Sequence, residues 1–453
     1  MFRNSLFAVL FIISTVSLFS QEQVSLDLTI YSNNFGVIRD VRSFNLNKGI
    51  SDLKFSGIPA TINPQSIFLK FDGQILEQSF RNDIENRNIF FNKLLNRKLT
   101  LKKADNEIIK GELLSFNDGF MIKTESGEIT MVPDIIDYQV SSLDLPKDLV
   151  TAPTIFWKLN SAKEGSQNLA INYLFDGITW RADYVAILNE NETQMDIDAK
   201  FSLTNNSGFA IKNAAANLIS GKVNKSIVQS KSYDRNTYME IKGMSADGMM
   251  NQEVAAEDMS DYQLYNLSSP LNLDNNETKQ LGMFIANNVK IVRKKRFSAY
   301  GTGSQGPVNS IISFHNNEQS GLGKLLPQGK MSFYKNRNNK PEFIGESQIG
   351  VKNIGDSLEL YIGDVAGITA AHHALNSSKT ENYIENEMEI VLTNRTDKDE
   401  DVEIYIYKGY LGTITKPSVK LFKIDAKLER CTVKVPKKAD FKMTYTLRNM
   451  IQK

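Results

Sequence analysis

The sequence has few of the residues on which metal and redox chemistry depend. Its 453 residues include one cysteine, Cys431, and three histidines, His315, His372 and His373. A single cysteine excludes an internal disulfide. Neighbouring residues of a strand point to opposite faces, so His372 and His373 are poorly placed to hold one zinc ion, and no cysteine pair complements them. We therefore predict no metal site and no cofactor, and we interpret Cys431 as a buried hydrophobic residue rather than a reactive thiol.

The sequence also lacks an excess of charge and the motifs of common enzymes. The net charge is +1, so no overall field attracts nucleic acid. No Walker loop or dinucleotide fingerprint is found, and the Gly-rich GTGSQG (301–306) has no helical pattern after it. No Gly-x-Ser-x-Gly elbow marks a serine nucleophile. We predict a protein that is not an enzyme and has no nucleic-acid partner. Hydrolysis by two separated carboxylates stays open, because it leaves no local motif.

Long hydrophobic runs are missing as well. The apolar run at residues 6–16 is short for a bilayer span, which needs about 20 residues. It follows Arg3 and precedes small and polar residues, which is typical of a secretory signal peptide, here residues 1–20. An uncleaved N-terminal anchor is the alternative for this segment. We expect an exported protein of the periplasm, cell envelope or exterior, with no transmembrane span after signal removal.

What the sequence does contain is alternation of apolar and polar residues. VSLDLTIY (24–31), FGVIRDVRSFNL (35–46) and many later runs have the period of two that predicts strands. One stretch, residues 83–97, has a helical pattern. We predict a mainly β protein of tandem β-sandwich-like domains with a small inserted SH3- or Sm-like barrel. The predicted segments are a signal peptide (1–20), an N-terminal β domain (21–88), the barrel (89–145), a sandwich part (146–231), a loop (232–260) and a C-terminal sandwich part (261–453).

Two segments have compositions of their own. Residues 232–260 have little apolar periodicity and contain five of the fourteen methionines, Met239, Met244, Met249, Met250 and Met259. A flexible loop is the favoured interpretation, and Cu(I) capture by thioethers is the alternative. The basic run KIVRKKR (290–296) is interpreted as a solvated strand end, with contact to anionic polymers or lipid surfaces as the alternative.

The most informative stretch is INYLFDGITWRADYVAIL (171–188), which places a tryptophan beside an arginine and an aspartate in a strand-like run. Gly177 is a point at which a strand can bend. Beyond it, alternation places Trp180 and Tyr184 on the core face and Arg181 and Asp183 on the other face, two residues apart and within reach of a charge-assisted hydrogen bond. We predict that these five residues are a structural signature and not a catalytic group.

This stretch, as the end of the longer segment DLVTAPTIFWKLNSAKEGSQNLAINYLFDGITWRADYVAIL (148–188), resembles the secreted bacterial family called domain of unknown function 4139, as do three other stretches. Relatives of that family include mucoidy inhibitor A-like proteins. The other stretches are FSLTNNSGFAIKNAAANLISGKVN (201–224), DYQLYNLSSPLNLDNNETKQLGMF (261–284) and HNNEQSGLGKLLPQGKMSFYK (315–335). The resemblance implies an exported β-rich envelope protein without established catalytic residues. We therefore expect a scaffold or binding module whose partner is an envelope protein or a polysaccharide. The alternative is a carbohydrate-active hydrolase that uses paired carboxylates.

Overall fold

The chain consists mainly of β-strands, which confirms the predicted fold class. The computed structural model describes residues 22–104, 107–142, 145–221, 223, 256–259, 262–338 and 340–451. The predicted signal peptide and most of the loop 232–260 lie outside these ranges. Among the helices of the described ranges, none has the length and apolar character needed to cross a bilayer.

The strands and the one α-helix of the described ranges are bounded as follows. In chain order they are β1 (Glu22–Tyr31), β2 (Phe35–Leu46), β3 (Gly49–Ser56), β4 (Phe68–Lys70), β5 (Gly73–Arg81), α1 (Arg87–Leu94), β6 (Lys98–Lys103), β7 (Ile108–Ser115), β8 (Phe120–Thr124), β9 (Ile129–Val132), β10 (Tyr138–Ser141), β11 (Thr154–Ser161), β12 (Gly165–Asp176), β13 (Ile178–Leu188), β14 (Gln194–Asn205), β15 (Ile211–Ser220), β16 (Ala256–Met259), β17 (Tyr262–Asn266), β18 (Leu271–Leu273), β19 (Glu277–Lys290), β20 (Val292–Tyr300), β21 (Gly303–His315), β22 (Gly329–Arg337), β23 (Lys340–Ile349), β24 (Ser357–Lys379), β25 (Tyr383–Asn394), β26 (Glu400–Tyr407), β27 (Gly412–Thr415), β28 (Phe422–Lys423), β29 (Leu428–Val435) and β30 (Ala439–Met450).

Three sheets share the largest core and form the first sandwich. Sheet 1 has the order β16-β17-β15-β1-β2-β12-β4, with β18 also on β15, sheet 2 has the order β19-β14-β13-β22-β23, and sheet 3 has the order β3-β11-β5. The apolar residues of their alternating strands face inward and pack in one cluster that includes Leu28, Trp157, Trp180 and Phe201. Burial of these faces is the main stabilising contribution to the fold.

Strand pairing in the first sandwich crosses the predicted domain boundaries. Strand β1 pairs in parallel with β15, and β2 pairs with β12 along its whole length. The predicted segments 21–88 and 146–231 therefore contribute to shared sheets, and neither closes a sheet of its own. Pairing of strands so distant in sequence is not visible in a local pattern, because alternation records which face is buried and not which strand lies alongside.

The predicted barrel is present as a five-stranded sheet with the order β10-β6-β7-β8-β9 and a separate core. Helix α1 is shorter than the predicted stretch 83–97 because the Asn86 side chain caps it, accepting a hydrogen bond from the Ile89 backbone N–H at 2.9 Å. Of the helix, Phe91 and Leu94 are buried in the barrel core.

The barrel leaves and rejoins the sandwich at adjacent strand ends, since Arg81 of β5 lies opposite Thr154 of β11. The buried Asp83 carboxylate joins the two connections. It accepts hydrogen bonds from Arg81 at 2.7 Å and from the Val150 backbone N–H at 2.9 Å. The hydrogen bonds from Arg81 and Val150 hold the pKa of Asp83 below its usual value although burial alone would raise it.

A fifth sheet of nine strands, β27-β30-β25-β24-β21-β20-β26-β29-β28, has a core of its own and forms the second sandwich. The ends of β21 and β24 also pack into the core of the first sandwich, through residues such as Phe314 and Leu358. Seven strands of the fifth sheet, in the order β29-β26-β20-β21-β24-β25-β30, repeat the strand order of the first sandwich. In the first sandwich this order is divided between two sheets, as β17-β15-β1-β2-β12 and β13-β14-β19. The long strand β24 corresponds to β12 and β13 together. The pair β1–β15 and its counterpart β20–β26 are parallel, and the other pairs of both paths are antiparallel. The same sandwich thus occurs twice in the chain.

The repetition extends to single residues at the bend between the two layers. Gly177 and Gly367 have φ angles of 86° and 81°, in the left-handed region that favours glycine. Their carbonyls accept hydrogen bonds from the backbone N–H groups of Asn206 at 2.6 Å and Arg395 at 2.8 Å. Both glycines open the sequence Gly-Ile-Thr, and both N–H donors follow the sequence Leu-Thr-Asn. These residues are therefore part of the sandwich architecture itself.

Candidate functional site

The signature strand β13 has one buried and one accessible face. Trp180 and Tyr184 are buried with Ile178 and Ala182 between the sheets of the first sandwich. The Trp180 indole N–H donates a hydrogen bond to the Ile219 carbonyl at 3.1 Å, and its ring packs edge-on against other aromatic rings. This buried half of the signature joins sheet 2 to sheet 1.

Tyr184 connects β13 to the segment that leads into β22. Its hydroxyl donates a hydrogen bond to the Pro327 carbonyl at 2.8 Å. Burial raises the pKa of Tyr184 well above its usual value, so the phenol keeps its proton and remains a donor. Pro327 therefore has a fixed place two residues before β22 begins.

Arg181 and Asp183 form the predicted pair on the other face. Arg181 Nε donates to Asp183 Oδ1 at 3.0 Å. Asp183 Oδ2 accepts from the Ser202 hydroxyl at 2.5 Å, and that hydroxyl accepts from the Gln280 amide at 3.1 Å. The hydrogen bonds cross β13, β14 and β19, so the pair is part of a polar chain that joins three strands.

We expect Asp183→Asn to lower the free energy of unfolding by about 1 kcal/mol, because one hydrogen bond to a charged group is weakened in a partly exposed place. Asp198→Asn on the same face is the control. Asp198 pairs with Lys200 at 3.1 Å, but its side chain is 44% exposed, compared with 18% for Asp183. Urea unfolding measures both variants. Equal losses, or no loss in the Asp183 variant, would contradict a structural role.

Beside this pair, no strand of the described ranges covers the edge of β13. Strand β2, the partner of β12, begins at Phe35 opposite Asp176, and β22 begins to pair with β13 only at Ala182. In the second sandwich the equivalent edge is covered, because β21 pairs with β24 on both sides of its bend. The gap in the first sandwich is a groove of about 250 Å³. We call it the signature groove, and it is lined by Ser32, Trp180, Arg181, Gln328, Gly329, Lys330 and Gln348.

The signature groove is polar, and both charged residues that line it are cations. The Arg181 side chain is 65% exposed and uses its Nε atom for Asp183. Lys330 lies opposite Asp183 across the strand pair and forms an ion pair with Glu346 at 3.2 Å. Gly329 permits the close approach of the two strands, since a Cβ there would lie 1.9 Å from the Ala182 carbonyl oxygen. The groove thus presents amides, a hydroxyl and two cations to solvent.

Comparison of the two sandwiches distinguishes the residues that the fold requires from those that occur only in the first sandwich. The position after Gly-Ile-Thr, Trp180 in the first sandwich, is Ala370 in the second, and Arg181 corresponds to Ala371. The same strand path therefore forms without the tryptophan and the arginine. Gly177 belongs to the shared architecture, whereas Trp180 and Arg181 are features of the first sandwich.

A second cavity, of about 720 Å³, lies on sheet 3 and bears on the hydrolase alternative. Asp52 and Glu77 flank Lys158 in register across three strands, and Phe156 is adjacent. Glu77 is 73% exposed and lies 3.7 Å from the Lys158 ammonium. A glycosidase holds its general acid protonated in a shielded place. These two acids instead lie on an open, solvated face.

Two of the three histidines form hydrogen bonds, and His373 lies 3.5 Å from the Glu389 carboxylate. His315 pairs with the Ser357 hydroxyl at 2.8 Å. His372 is buried, with Nε2 2.7 Å from the Tyr445 hydroxyl and Nδ1 3.4 Å from that of Ser304. Burial, with a contribution from His373, lowers the pKa of His372 to about 4.

This shift predicts a pH dependence of stability. The unfolded state takes up a proton near pH 6.5 and the folded state only near pH 4, so the stabilisation is complete above pH 6.5 and is lost as the pH falls to 4. The loss amounts to at most about 3 kcal/mol. Urea unfolding at a series of pH values measures it. In His372→Gln this part of the slope should vanish, and an unchanged slope would contradict the assignment.

The basic run 290–296 is engaged within the protein. Its strand β20 places Lys294 2.6 Å from Glu359 and Arg296 2.7 Å from Glu359 and 2.8 Å from Glu403. Hydrogen bonds from Arg296 and Lys294 lower the pKa of Glu359 to about 2, although burial opposes them. This ladder of ion pairs joins β20 to its neighbours, so Lys294 and Arg296 stabilise the sheet.

The sulfur and carboxylate groups show no metal centre in the described part of the chain. No group of three or more His, Cys, Asp or Glu residues there is arranged to hold an ion. Cys431 is buried against the Met443 sulfur at 3.9 Å, and burial raises its thiol pKa to about 11. The methionine-rich stretch that suggested Cu(I) capture is not among the described residues, except for the backbone of β16.

Sequence reasoning missed Gln328, Lys330 and Gln348 as neighbours of Arg181. A signal was present, since Gln328 and Lys330 lie within the stretch 315–335 that resembles the family, but nothing local shows that this stretch reaches β13. No protein-family model matches the chain, and no curated protein matches it either.

Proposed function

We propose that the protein is an exported, non-enzymatic β-protein of the cell envelope that binds a partner in the signature groove. One observation carries this proposal. The stretches 171–188 and 315–335, which both belong to the resemblance to the secreted family and are far apart in the chain, pair with each other and contribute five of the seven residues that line the groove.

Export and the class of partner follow from other features. The segment 1–20 has the order of a signal peptide, and the resemblance implies an envelope protein. The groove offers hydrogen-bond donors and two cations, and it holds no arrangement of nucleophile, base and oxyanion donors. Such a surface suits recognition of an envelope protein or polysaccharide and not turnover.

Photo-crosslinking in the native host tests the proposal. A photoreactive amino acid at Gln348, which is exposed at the groove, should yield one reproducible adduct from the envelope fraction. The same group at Tyr410, which is 73% exposed on the second sandwich, serves as the control and should not yield that adduct. The adduct should disappear in Arg181→Gln. Identical products from both positions, or none from Gln348, would overturn the proposal.

The hydrolase alternative rests on Asp52 and Glu77 flanking Lys158 on sheet 3. Its test is release of reducing ends from envelope polysaccharide by the purified chain. We expect no turnover above that of heat-inactivated protein. Turnover that is abolished in both Asp52→Asn and Glu77→Gln would establish the alternative and refute a non-enzymatic role.

A further inference from the structure

We infer that the signature groove binds the terminal carboxylate of an extended peptide, with the edge of β13 as its strand partner. This inference rests on the proposed function and names the ligand class of that site. Three observations support it: an unpaired strand edge, cations at its end and the absence of an accessible aromatic ring.

The unpaired edge is short and closed at both ends. Ala182 N–H donates to the Gln328 carbonyl at 3.3 Å, where the β22 segment begins. The backbone N–H of Trp180 points the same way, because alternate residues of a strand share a direction, and no residue in the described ranges pairs with it on that side. At the other end Gly177 N–H donates to the Asn34 carbonyl at 3.2 Å, and the Thr179 hydroxyl donates to Ser32.

The length of the gap fits a few residues of an extended chain. Residues 178–181 span about 13 Å at roughly 3.3 Å per residue. A peptide that adds to this edge gains main-chain hydrogen bonds, which is a recurrent form of peptide recognition. Closure by Gln328 means that such a peptide ends inside the groove and does not pass through it.

The cations of the groove, Arg181 and Lys330, lie where the carboxyl end of such a peptide would be. Arg181 engages Asp183 through Nε, so its two Nη groups are available for a bidentate contact with a carboxylate. Lys330 lies at the same side of the groove, and its ammonium, which is also 3.2 Å from Glu346, can share its remaining donors with a ligand carboxylate. Gln328 and Gln348 add side-chain amide groups to the lining of the groove.

A carboxylate of an acidic sugar chain is the rival source, and the lining disfavours it. Sugar rings are commonly held on accessible aromatic side chains, but the one aromatic residue of this groove, Trp180, is 2% exposed and engaged with the core. The backbone of β13 at Trp180 has the spacing of a peptide backbone, so an extended peptide can pair with it as a strand. We therefore commit to a peptide terminus.

The two tryptophans allow a direct test with the full-length chain. Selective ¹⁵N-tryptophan labelling yields signals from Trp180, at the groove, and from Trp157, on sheet 3, with Trp157→Phe providing the assignment. Tetra-alanine with a free carboxylate should shift the Trp180 backbone signal and leave Trp157 unchanged. Its C-terminal amide should bind at least tenfold more weakly. Trigalacturonate should cause no saturable shift.

Variants identify the cations. Arg181→Gln should weaken binding of tetra-alanine at least tenfold, and Lys330→Gln, which alters an exposed side chain, should weaken it severalfold. Arg39→Met, a cation of sheet 1 outside the groove, should leave binding unchanged. Melting curves establish that each variant is folded.

Each other outcome overturns the inference. Equal binding of the acid and the amide would refute carboxylate recognition, a shift with trigalacturonate alone would indicate an acidic glycan, and no shift with any probe would refute the ligand class. If the peptide-binding tests fail but the Gln348 adduct still forms in the host, only the ligand class is refuted and the proposed function stands. If the peptide-binding tests fail and the adduct is also absent, both the ligand class and the proposed function are refuted.

Discussion

Replacing Arg42 with methionine is expected to lower the free energy of unfolding by about 3–5 kcal/mol, the cost of leaving one member of a buried ion pair without its partner. Arg42 donates to Asp40 from Nε at 3.0 Å and from Nη2 at 2.7 Å, and to the Ser56 carbonyl at 2.7 Å. Asp40 is fully buried. Among side chains other than Arg42, the part-buried Gln23 amide donates to Asp40, at 3.2 Å, and one neutral donor does not replace the guanidinium charge.

The same strand pair contains a matched control. Arg39 of β2 and Asp27 of β1 form an ion pair at 2.9 Å, but their side chains are 51% and 47% exposed. Arg39→Met should therefore cost no more than about 1 kcal/mol. The double variant Asp40→Leu and Arg42→Met removes both buried charges and should recover much of the loss. Urea unfolding gives all three values. Similar losses for Arg39→Met and Arg42→Met would show that burial does not govern the pair.

Removing the side chain of Asn205 is expected to cost about 3–4 kcal/mol, because several buried or part-buried backbone groups lose a side-chain partner at once. The Asn205 amide donates to the carbonyls of Phe209 at 2.7 Å and of Leu273 and Asp274, each at 3.2 Å. Its oxygen accepts from the Ser207 backbone N–H and hydroxyl. This residue closes the turn between β14 and β15 and secures the approach to β19.

Asn394 has the same place in the second sandwich. Its amide donates to the carbonyls of Lys398 at 2.8 Å and Val435 at 3.2 Å, and its oxygen accepts from the Thr396 backbone N–H and hydroxyl. Asn394→Ala should therefore have nearly the effect of Asn205→Ala. Asn168→Ala, at an exposed position of β12, should stay within about 0.5 kcal/mol of the parent. A large loss for only one of the two buried variants would show that the repeated turns are not energetically equivalent.

The repeat that contains these asparagines was within reach of the sequence. Gly-Ile-Thr followed by Leu-Thr-Asn occurs at 177–205 and again at 367–394, with nearly equal spacing. Sequence reasoning treated each strand separately and did not compare the two halves. The match is short, and its meaning depends on the pairing of Ile178 with Asn205 and of Ile368 with Asn394.

The sequence by itself determined the mainly β class, the separate barrel and the two faces of β13. These are local properties, since a period of two sets which side chains share a face, and residues two apart such as Arg181 and Asp183 then meet on any strand. The barrel was visible because its strands are consecutive and joined by tight turns.

Only the tertiary structure decided which strands are neighbours. Alternating apolar strands present similar faces, and the choice among them depends on how all the sheets fit together over long separations in sequence. That choice pairs β1 with β15 and brings Lys330 beside Arg181. Among the described strands it leaves residues 178–181 without an outer strand partner. The groove forms where one strand edge has no partner among the described strands, so no local residue pattern predicts it.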